Sequence, residues 1–421
     1  MRKFSVWQGK PEVVTVDPRS PAGSSNVLTP RSNAAYSKPP FVPFALPDIG
    51  PDEIAEVVDT LRSGWITSGP KVRQFEEEFG HYLGAGVECV AVNSATAGLH
   101  LALEAIGIGP GDEVIVPTHT FTATAEVVRY LAADPVFVDI NPATCCVDPA
   151  RVEAAITPRT KAIVPVHFGG LPAEMTPILG IAARHGLRVI EDAAHAFSTV
   201  YRGDLIGTLN SSATVFSFHA TKTLTTGEGG MLVTQDRAIA QRARIMRIHG
   251  IDRDAFSRII APVHTWRYEV VAPGFKYNLT DIAAAIGIAQ LRRADAMLAR
   301  RDELAKRYSR GLSDLPLILP STPKSGSTHA WHLYAVQLSD ETHITRDHVL
   351  SYLYEAGIGC SVHYIPLHLQ PYWRDRYKLK PELFPNSQRV FERSISLPLH
   401  TKVSDADQDR VIDALHQVLK G

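Results

Sequence analysis

Leu187-Arg188-Val189-Ile190-Glu191-Asp192-Ala193-Ala194-His195 reads as a buried strand that ends on two carboxylates and then on residues small enough to let something flat approach. Its apolar part is continuous rather than alternating, the pattern of a strand covered on both faces. Upstream, similar runs recur at Val90-Ala91-Val92, Glu113 to Pro117, Pro135 to Asp139 and Ala162 to Val166, with helical patterns such as Ala97 to Ala105 and Thr176 to His185 between them. Short buried strands alternating with helices predict an α/β fold around a mostly parallel, doubly wound sheet. Downstream, Thr214 to Phe218 and Gly230 to Thr234 flank a Gly-rich turn too short for a crossover helix, so that pair is expected to be antiparallel.

Further out, residues 1–40 carry six prolines, Ser and Asn without periodicity and predict an extended or disordered arm. Pro51 to Gly64 places Ile54, Val57, Val58 and Leu61 at helical spacing after an acidic first turn. A long helical stretch from Thr280 to about Tyr308 predicts a bridge from a large domain, 41–309, to a smaller α+β C-terminal domain, 310–421, with strands at Trp331 to Leu338 and Cys360 to Tyr364.

The 421 residues balance 43 Lys+Arg against 44 Asp+Glu, so no global field draws the chain to nucleic acid or an anionic membrane. Any bound phosphate must be held by local geometry. The four cysteines have no metal-ligand spacing, so no metal site is expected and a reducing compartment is the simpler reading. With no apolar run of membrane length and no secretory h-region, the expectation is a soluble cytoplasmic protein.

Open α/β sheets present functional groups at the carboxyl ends of their strands. After the Val90 strand, Asn93-Ser94-Ala95-Thr96-Ala97-Gly98 opens a helix, either as a plain N-cap or as an anion site built from free backbone N–H groups at Ser94, Ala95 and Thr96. Asp192 either caps the following helix or faces a protonated pyridine nitrogen and keeps that ring an electron sink. Lys222 follows Ser217 and precedes Thr225-Thr226-Gly227-Glu228-Gly229-Gly230. A lysine amine becomes a nucleophile only when burial or neighbouring cations lower its pKa. The order of anion loop, strand-end acid, Ser217 and Lys222 sets this lysine apart from an ordinary surface charge.

Four strings carry a resemblance: Ser63-Gly64-Trp65-Ile66-Thr67-Ser68-Gly69-Pro70, Glu191 to Ala196, Ser217 to Gly230, and Gly274-Phe275-Lys276-Tyr277-Asn278-Leu279-Thr280-Asp281. They resemble the DegT/StrS family of nucleotide-sugar aminotransferases, which depend on pyridoxal 5'-phosphate (PLP) and have the fold-type I, aspartate-aminotransferase-like architecture. The resemblance runs from about Phe41 to the C-terminus. It implies that Lys222 forms the Schiff base with PLP, that Asp192 pairs with the pyridine nitrogen, and that Ser94, Ala95, Thr96 and Ser217 hold the phosphate. Asn278 resembles the asparagine that reaches the phosphate of a neighbouring subunit, implying a homodimer with shared sites. Phe121 occupies the ring-stacking position, with an ordinary core aromatic as its alternative, and His195 a place beside the cofactor ring, where a core histidine bonded to backbone is the equal alternative. His329, His363, Lys276 and Glu228 are candidate substrate contacts or structural residues.

The implied reaction moves an amino group from L-glutamate, through pyridoxamine 5'-phosphate, to a nucleotide-linked 4-keto-6-deoxyhexose or 4-ketopentose, for glycan or secondary-metabolite synthesis. Related dehydratases carry histidine in place of the Schiff-base lysine, and Lys222 favours amino transfer. A non-catalytic PLP- or sugar-binding protein is the rival from another class.

Overall fold

The alternation of strands and helices becomes a seven-stranded sheet in the computed structural model, which describes residues 40–84, 86–252 and 267–420. The predicted arm lies outside the described residues apart from Pro40. The sheet strands are β1 (Glu88–Val92), β2 (Glu113–Pro117), β3 (Asp134–Val138), β4 (Thr160–Ile163), β5 (Arg188–Asp192), β6 (Ala213–Ser217) and β7 (Gly230–Thr234). Their spatial order is β1-β7-β6-β5-β4-β2-β3. Every pair among β3, β2, β4, β5 and β6 is parallel, whereas β7 runs antiparallel between β6 and β1. The short, Gly-rich β6–β7 connection enforces that reversal, as expected from the sequence.

Both faces of this sheet are buried. One packs Phe75, Phe79, Phe197, Phe216 and Phe218 into an aromatic core. The other buries Val90, Val114, Ile190, Val215 and Leu232 under helices α3 (Ala95–Ala105), α4 (Ala123–Tyr130) and α7 (Arg237–Met246). Burial on both sides is why the strands read as continuous apolar runs. Between α4 and α7 the chain adds α5 (Pro149–Ala154) and α6 (Met175–His185).

The N-terminal helices are α1 (Pro51–Ser63) and α2 (Pro70–Leu83). Gly64 ends α1 in the left-handed conformation at φ 75°, which its lack of a Cβ permits. The face that α1 buries carries Glu53 and Thr60, while Ile54 and Leu61 are more than half exposed. Glu53 is drawn inward because it accepts from the Gly50 N–H, Gln290 Nε2 and Arg293.

Three sequence expectations shift. The expected long helix divides into α8 (Asp281–Arg292) and α9 (Ala294–Gly311), because Arg293 leaves helical geometry at φ -102° and ψ 1° and its guanidinium pairs with Glu53 and Asp48. The fourth strand ends at Ile163; Val164 still bonds the Ile115 carbonyl, and past Pro165 only an isolated parallel bridge joins Val166 to Asp192. Cys360 to Tyr364 is no strand: Ser361 exchanges two backbone hydrogen bonds with Ser396, after which the chain turns His363 and Tyr364 toward a cleft.

Near the C-terminus, β8 (Leu317–Ile318), β9 (Tyr334–Leu338) and β10 (Ser394–Leu397) form a separate antiparallel sheet. A third core, with Leu304, Tyr308, Tyr334, Val336, Leu353, Ile395 and Leu415, packs against it.

Candidate active site

The carboxyl ends of β5 and β6 and the start of α3 converge on one cleft of about 350 Å³. Gly230 on β7 permits the convergence: a Cβ there would lie 2.7 Å from the backbone of Ser94 and Ala95. Ser94 caps α3 by accepting from the Ala97 N–H at 3.1 Å. The N–H groups of Ala95 and Thr96 in the first turn have no carbonyl within the helix to bond. With the helix dipole behind them and Ser217 on β6 across the cleft, this is an electropositive cradle for a phosphate.

Adjacent residues of β5 point to opposite faces of the sheet. Asp192 enters the cleft, where it accepts from Thr124 Oγ1 at 2.8 Å and from the Ala194 N–H at 3.1 Å. Burial pushes its pKa up, against the pull of those donors and of Lys222. Glu191 goes to the other face, fully buried, and accepts from His167 Nε2, Ser211 Oγ and Thr214 Oγ1.

Lys222 follows β6 in a turn fixed by its own N–H donating to the His219 carbonyl. Burial pushes its ammonium down to about 8, opposed by the charge of Asp192. An amine poised there gives up its proton far more readily than an ordinary lysine, and the neutral form is the state that Schiff-base formation and proton transfer require.

On the other flank, the Gly169 N–H donates to His195 Nδ1 at 3.2 Å, and His195 Nε2 lies 2.9 Å from the Tyr364 hydroxyl. Gly170 gives this loop its room: a Cβ there would meet the His195 carbonyl at 2.9 Å. Phe121 stands at the cleft, 58% exposed, its ring centroid 5.9 Å from that of Tyr364. His363 lines the wall with Phe44 and bonds Ser396 Oγ through Nδ1.

Ser94, Ala95, Thr96, Phe121, Asp192, His195, Ser217, Lys222, Glu228 and His363 thus meet in one place. Asn278, Lys276 and His329 lie outside it. Asn278 donates to Ser68 Oγ at 2.7 Å, and Lys276 is exposed on the segment paired with Ile248. His329 is buried, accepts from the Trp331 N–H and stacks on that indole at 3.8 Å, while His332 is the histidine of this segment that lines the cleft. Tyr364, Thr124 and His332 were missed from sequence. Tyr364 directly follows the candidate His363 and lies outside the four strings that carry the resemblance. Thr124 lies in the first turn of α4 and bonds the hydroxyl of Thr120, which precedes the helix, so no periodicity links the two in sequence.

The residues fit PLP. An electropositive helix start, a buried carboxylate with lone pairs left over, and an amine of lowered pKa correspond to phosphate, pyridinium and aldehyde. Among the described residues, no helix is long and apolar enough to cross a membrane and no cluster of His, Cys, Asp or Glu could hold a metal ion.

Comparison with known proteins agrees. Residues 47–416 match the model of the DegT/DnrJ/EryC1/StrS aminotransferase family. The chain is 47% identical over 383 residues to the spore coat polysaccharide biosynthesis protein SpsC of Bacillus subtilis, covering 90% of this chain and 98% of SpsC. Its fold superposes on the sugar aminotransferase Spr1654 of Streptococcus pneumoniae in its PMP form with a TM-score of 0.84 and 34% identity, covering 90% of this chain and 98% of that one. Spr1654 is also known in a PLP form. For DesV of S. venezuelae the TM-score is 0.81 and the identity 35%, over 90% of this chain and 99% of that one. The chain belongs to the DegT/DnrJ/EryC1/StrS family of PLP-dependent sugar aminotransferases.

Proposed function

We propose that the protein transfers the amino group of L-glutamate to a nucleotide-linked 4-keto sugar, a 4-keto-6-deoxyhexose or a 4-ketopentose. The observation that carries this reading is the meeting of Lys222, with its amine near a pKa of 8, and Asp192, held by Thr124 and Ala194, in one cleft. A binding protein needs neither a neutral lysine nor a buried acid set to balance a pyridinium.

Bound PLP supplies an electron sink for the charge left when the donor loses its α-proton. In this reading Lys222 carries the cofactor at rest and, once displaced, moves a proton as a general base and acid. Asp192 keeps the pyridinium protonated. Ala95, Thr96, Ser94 and Ser217 hold the phosphate, and Phe121 covers a ring face. Beyond Phe121 and Tyr364 the cleft opens into a depression of about 480 Å³ lined by Ile365, Tyr372 and Trp373, which leaves room for an acceptor larger than an amino acid.

A homodimer belongs to the same reading. Ile54 and Leu61 on α1 and Ile66 after it present apolar surface outward, as an interface would. Asn278, outside its own cleft and beside Ser68, is available to a second copy.

The test is turnover with ¹⁵N-glutamate and a panel of nucleotide-linked keto sugars. Nitrogen appearing on the sugar is the expected result. Release of a deoxy-keto product with no nitrogen transferred would overturn it in favour of dehydration.

A further inference from the structure

His195, His219, His332 and His363 all line the cleft, and three of them have at least one ring nitrogen bonded within the chain. His195 uses both, on the Gly169 N–H and the Tyr364 hydroxyl. His363 Nδ1 meets Ser396 Oγ at 2.9 Å, and His219 Nδ1 meets Thr221 Oγ1 at 3.1 Å. His332 differs: it is 6% exposed, yet neither nitrogen has a hydrogen-bond partner among the described residues. A buried polar atom left unpaired is costly, and beside a cavity it marks a place where a ligand supplies the partner.

The chain fixes this ring through its neighbours' backbone. The Ala330 N–H donates to the Gly170 carbonyl and the Leu333 N–H to that of Gly169, both at 3.0 Å, which stitches the segment to the loop that also orients His195. Arg301, buried in α9, donates to the Trp331 carbonyl at 3.0 Å. The His332 imidazole then packs on that of His195 with ring centroids 4.4 Å apart. Its Nδ1 is sealed from solvent, so a proton there would have no acceptor, whereas a proton on Nε2 has the cleft. Burial, with Lys222 and His195 close by, holds the ring well below its ordinary pKa, so it is neutral and carries that single N–H.

An amino donor has to bring its α-carbon to the Lys222 amine, which leaves a carboxylate one bond from the reacting carbon and equally deep in the cleft. Among the described residues no arginine lines the cleft, and its one lysine is the reacting group. Depth sets the rim apart: His219 and Glu228 have side chains 48% and 73% exposed, and Glu228 repels an anion. We propose that His332 receives the α-carboxylate of the amino donor, donating its Nε2 N–H to a carboxylate oxygen, and so selects α-amino acids. The proposal rests on the reading that L-glutamate is the donor and Lys222 the amine that it displaces.

The experiment uses the PLP-loaded protein and two readouts. Glutarate, the donor without its amine, binds without reacting. Its Kd should rise by about tenfold or more in His332→Phe, which keeps a flat ring and loses the N–H, and by less in His332→Gln, which keeps an N–H. Loss of the visible band on adding donor then compares L-glutamate with its α-amide and its γ-amide. Wild type should prefer glutamate to the α-amide, and that preference should shrink by about tenfold in His332→Phe and by less in His332→Gln, while the preference over the γ-amide stays. An unchanged glutarate Kd in both variants overturns the proposal. So does a preference that falls equally against both amides, which would make His332 a scaffold residue whose loss disturbs the whole cleft. A wild-type band that L-glutamate leaves unchanged refutes the reading of the donor and this proposal with it, whereas a wild type that responds and variants that discriminate as it does refute the proposal alone.

Discussion

Glu191 and Asp192 are consecutive carboxylates on one strand, and around each the chain has built the same device to opposite ends. Behind the sheet, the Ala173 N–H enters His167 Nδ1, so His167 donates from Nε2 to Glu191 at 2.9 Å. Beside the cleft, the Gly169 N–H enters His195 Nδ1, and His195 bonds Tyr364 at 2.9 Å. The first network closes: Glu191 also takes Ser211 and Thr214, and its charge is spread over three donors. The second leaves lone pairs on Asp192 and a proton on Tyr364 facing the cleft. A buried polar group that is fully satisfied holds a fold together, whereas one left partly satisfied beside a cavity is set for a ligand.

The largest effect that separates the two networks lies at Lys222. Lys222→Ala should lower turnover by about 10⁴-fold or more, since one group serves as both nucleophile and proton carrier. Steady-state assay with borohydride trapping checks it, and residual turnover within tenfold of wild type would show that the cleft is not where the chemistry occurs. Next come the two acids. Asp192→Asn should cost about 10³-fold in turnover while the unfolding midpoint of the apoprotein holds or rises, because a buried charge with only two protein donors is removed. Glu191→Ala should do the reverse, costing about 3 kcal/mol of stability by leaving His167, Ser211 and Thr214 without their acceptor, while protein that folds keeps its turnover number. Denaturant titration paired with active-site-normalised rates reads both, and equal stability losses would erase the distinction.

A smaller effect follows from burying the Lys222 cation. Its pKa falls from 10.5 to about 8 on folding, so between those values the unfolded chain binds more protons than the native one. Stability of the apoprotein should therefore rise with pH across that window, and the cost of the buried cation is felt in full below about 8. Lys222→Met should flatten the slope and stabilise the apoprotein at pH 7 by about 2 kcal/mol, less than the whole shift implies because the amine still meets water in the cleft. Apoprotein unfolding from pH 7 to 10.5 measures it.

What could be read in advance divides along the same line. Continuous apolar strands and a Gly-rich turn announced the parallel sheet and its reversed strand, since burial on two faces leaves a pattern in a single stretch of sequence. The strings at Ser68 to Pro70 and Leu279 to Asp281 were legible only as a resemblance. In three dimensions they form a clasp: the Asp281 carboxylate accepts from the N–H groups of Gly69, Lys71 and Val72 at the start of α2. The roles of His329 and His332 could not be told apart in sequence, because which of them meets the cleft depends on a chain turn with Trp331 at φ 49° between them. The outward apolar stripe of α1 was equally hidden, since periodicity shows that a face exists and not what covers it.

The smallest effect tests the comparison most closely, because it removes a single hydroxyl from each network. Thr124→Val deletes one donor to Asp192 with little change of shape, and Ser211→Ala deletes one donor to Glu191. Each hydrogen bond to a charged acceptor is worth about 1.5–3 kcal/mol, part of which is recovered where water can reach the acceptor. For Ser211→Ala the acceptor Glu191 is fully buried, so the loss should appear mainly as stability, about 2 kcal/mol in denaturant titration, with PLP affinity unchanged. For Thr124→Val the cleft admits water, so stability should move by less than about 1 kcal/mol. Asp192 instead becomes easier to protonate and a weaker partner for a pyridinium, and PLP affinity should fall by about tenfold. Were Thr124→Val to cost stability and leave PLP affinity alone, Asp192 would belong with Glu191 to the scaffold, and the difference between the two carboxylates would lie in their surroundings without reaching the chemistry.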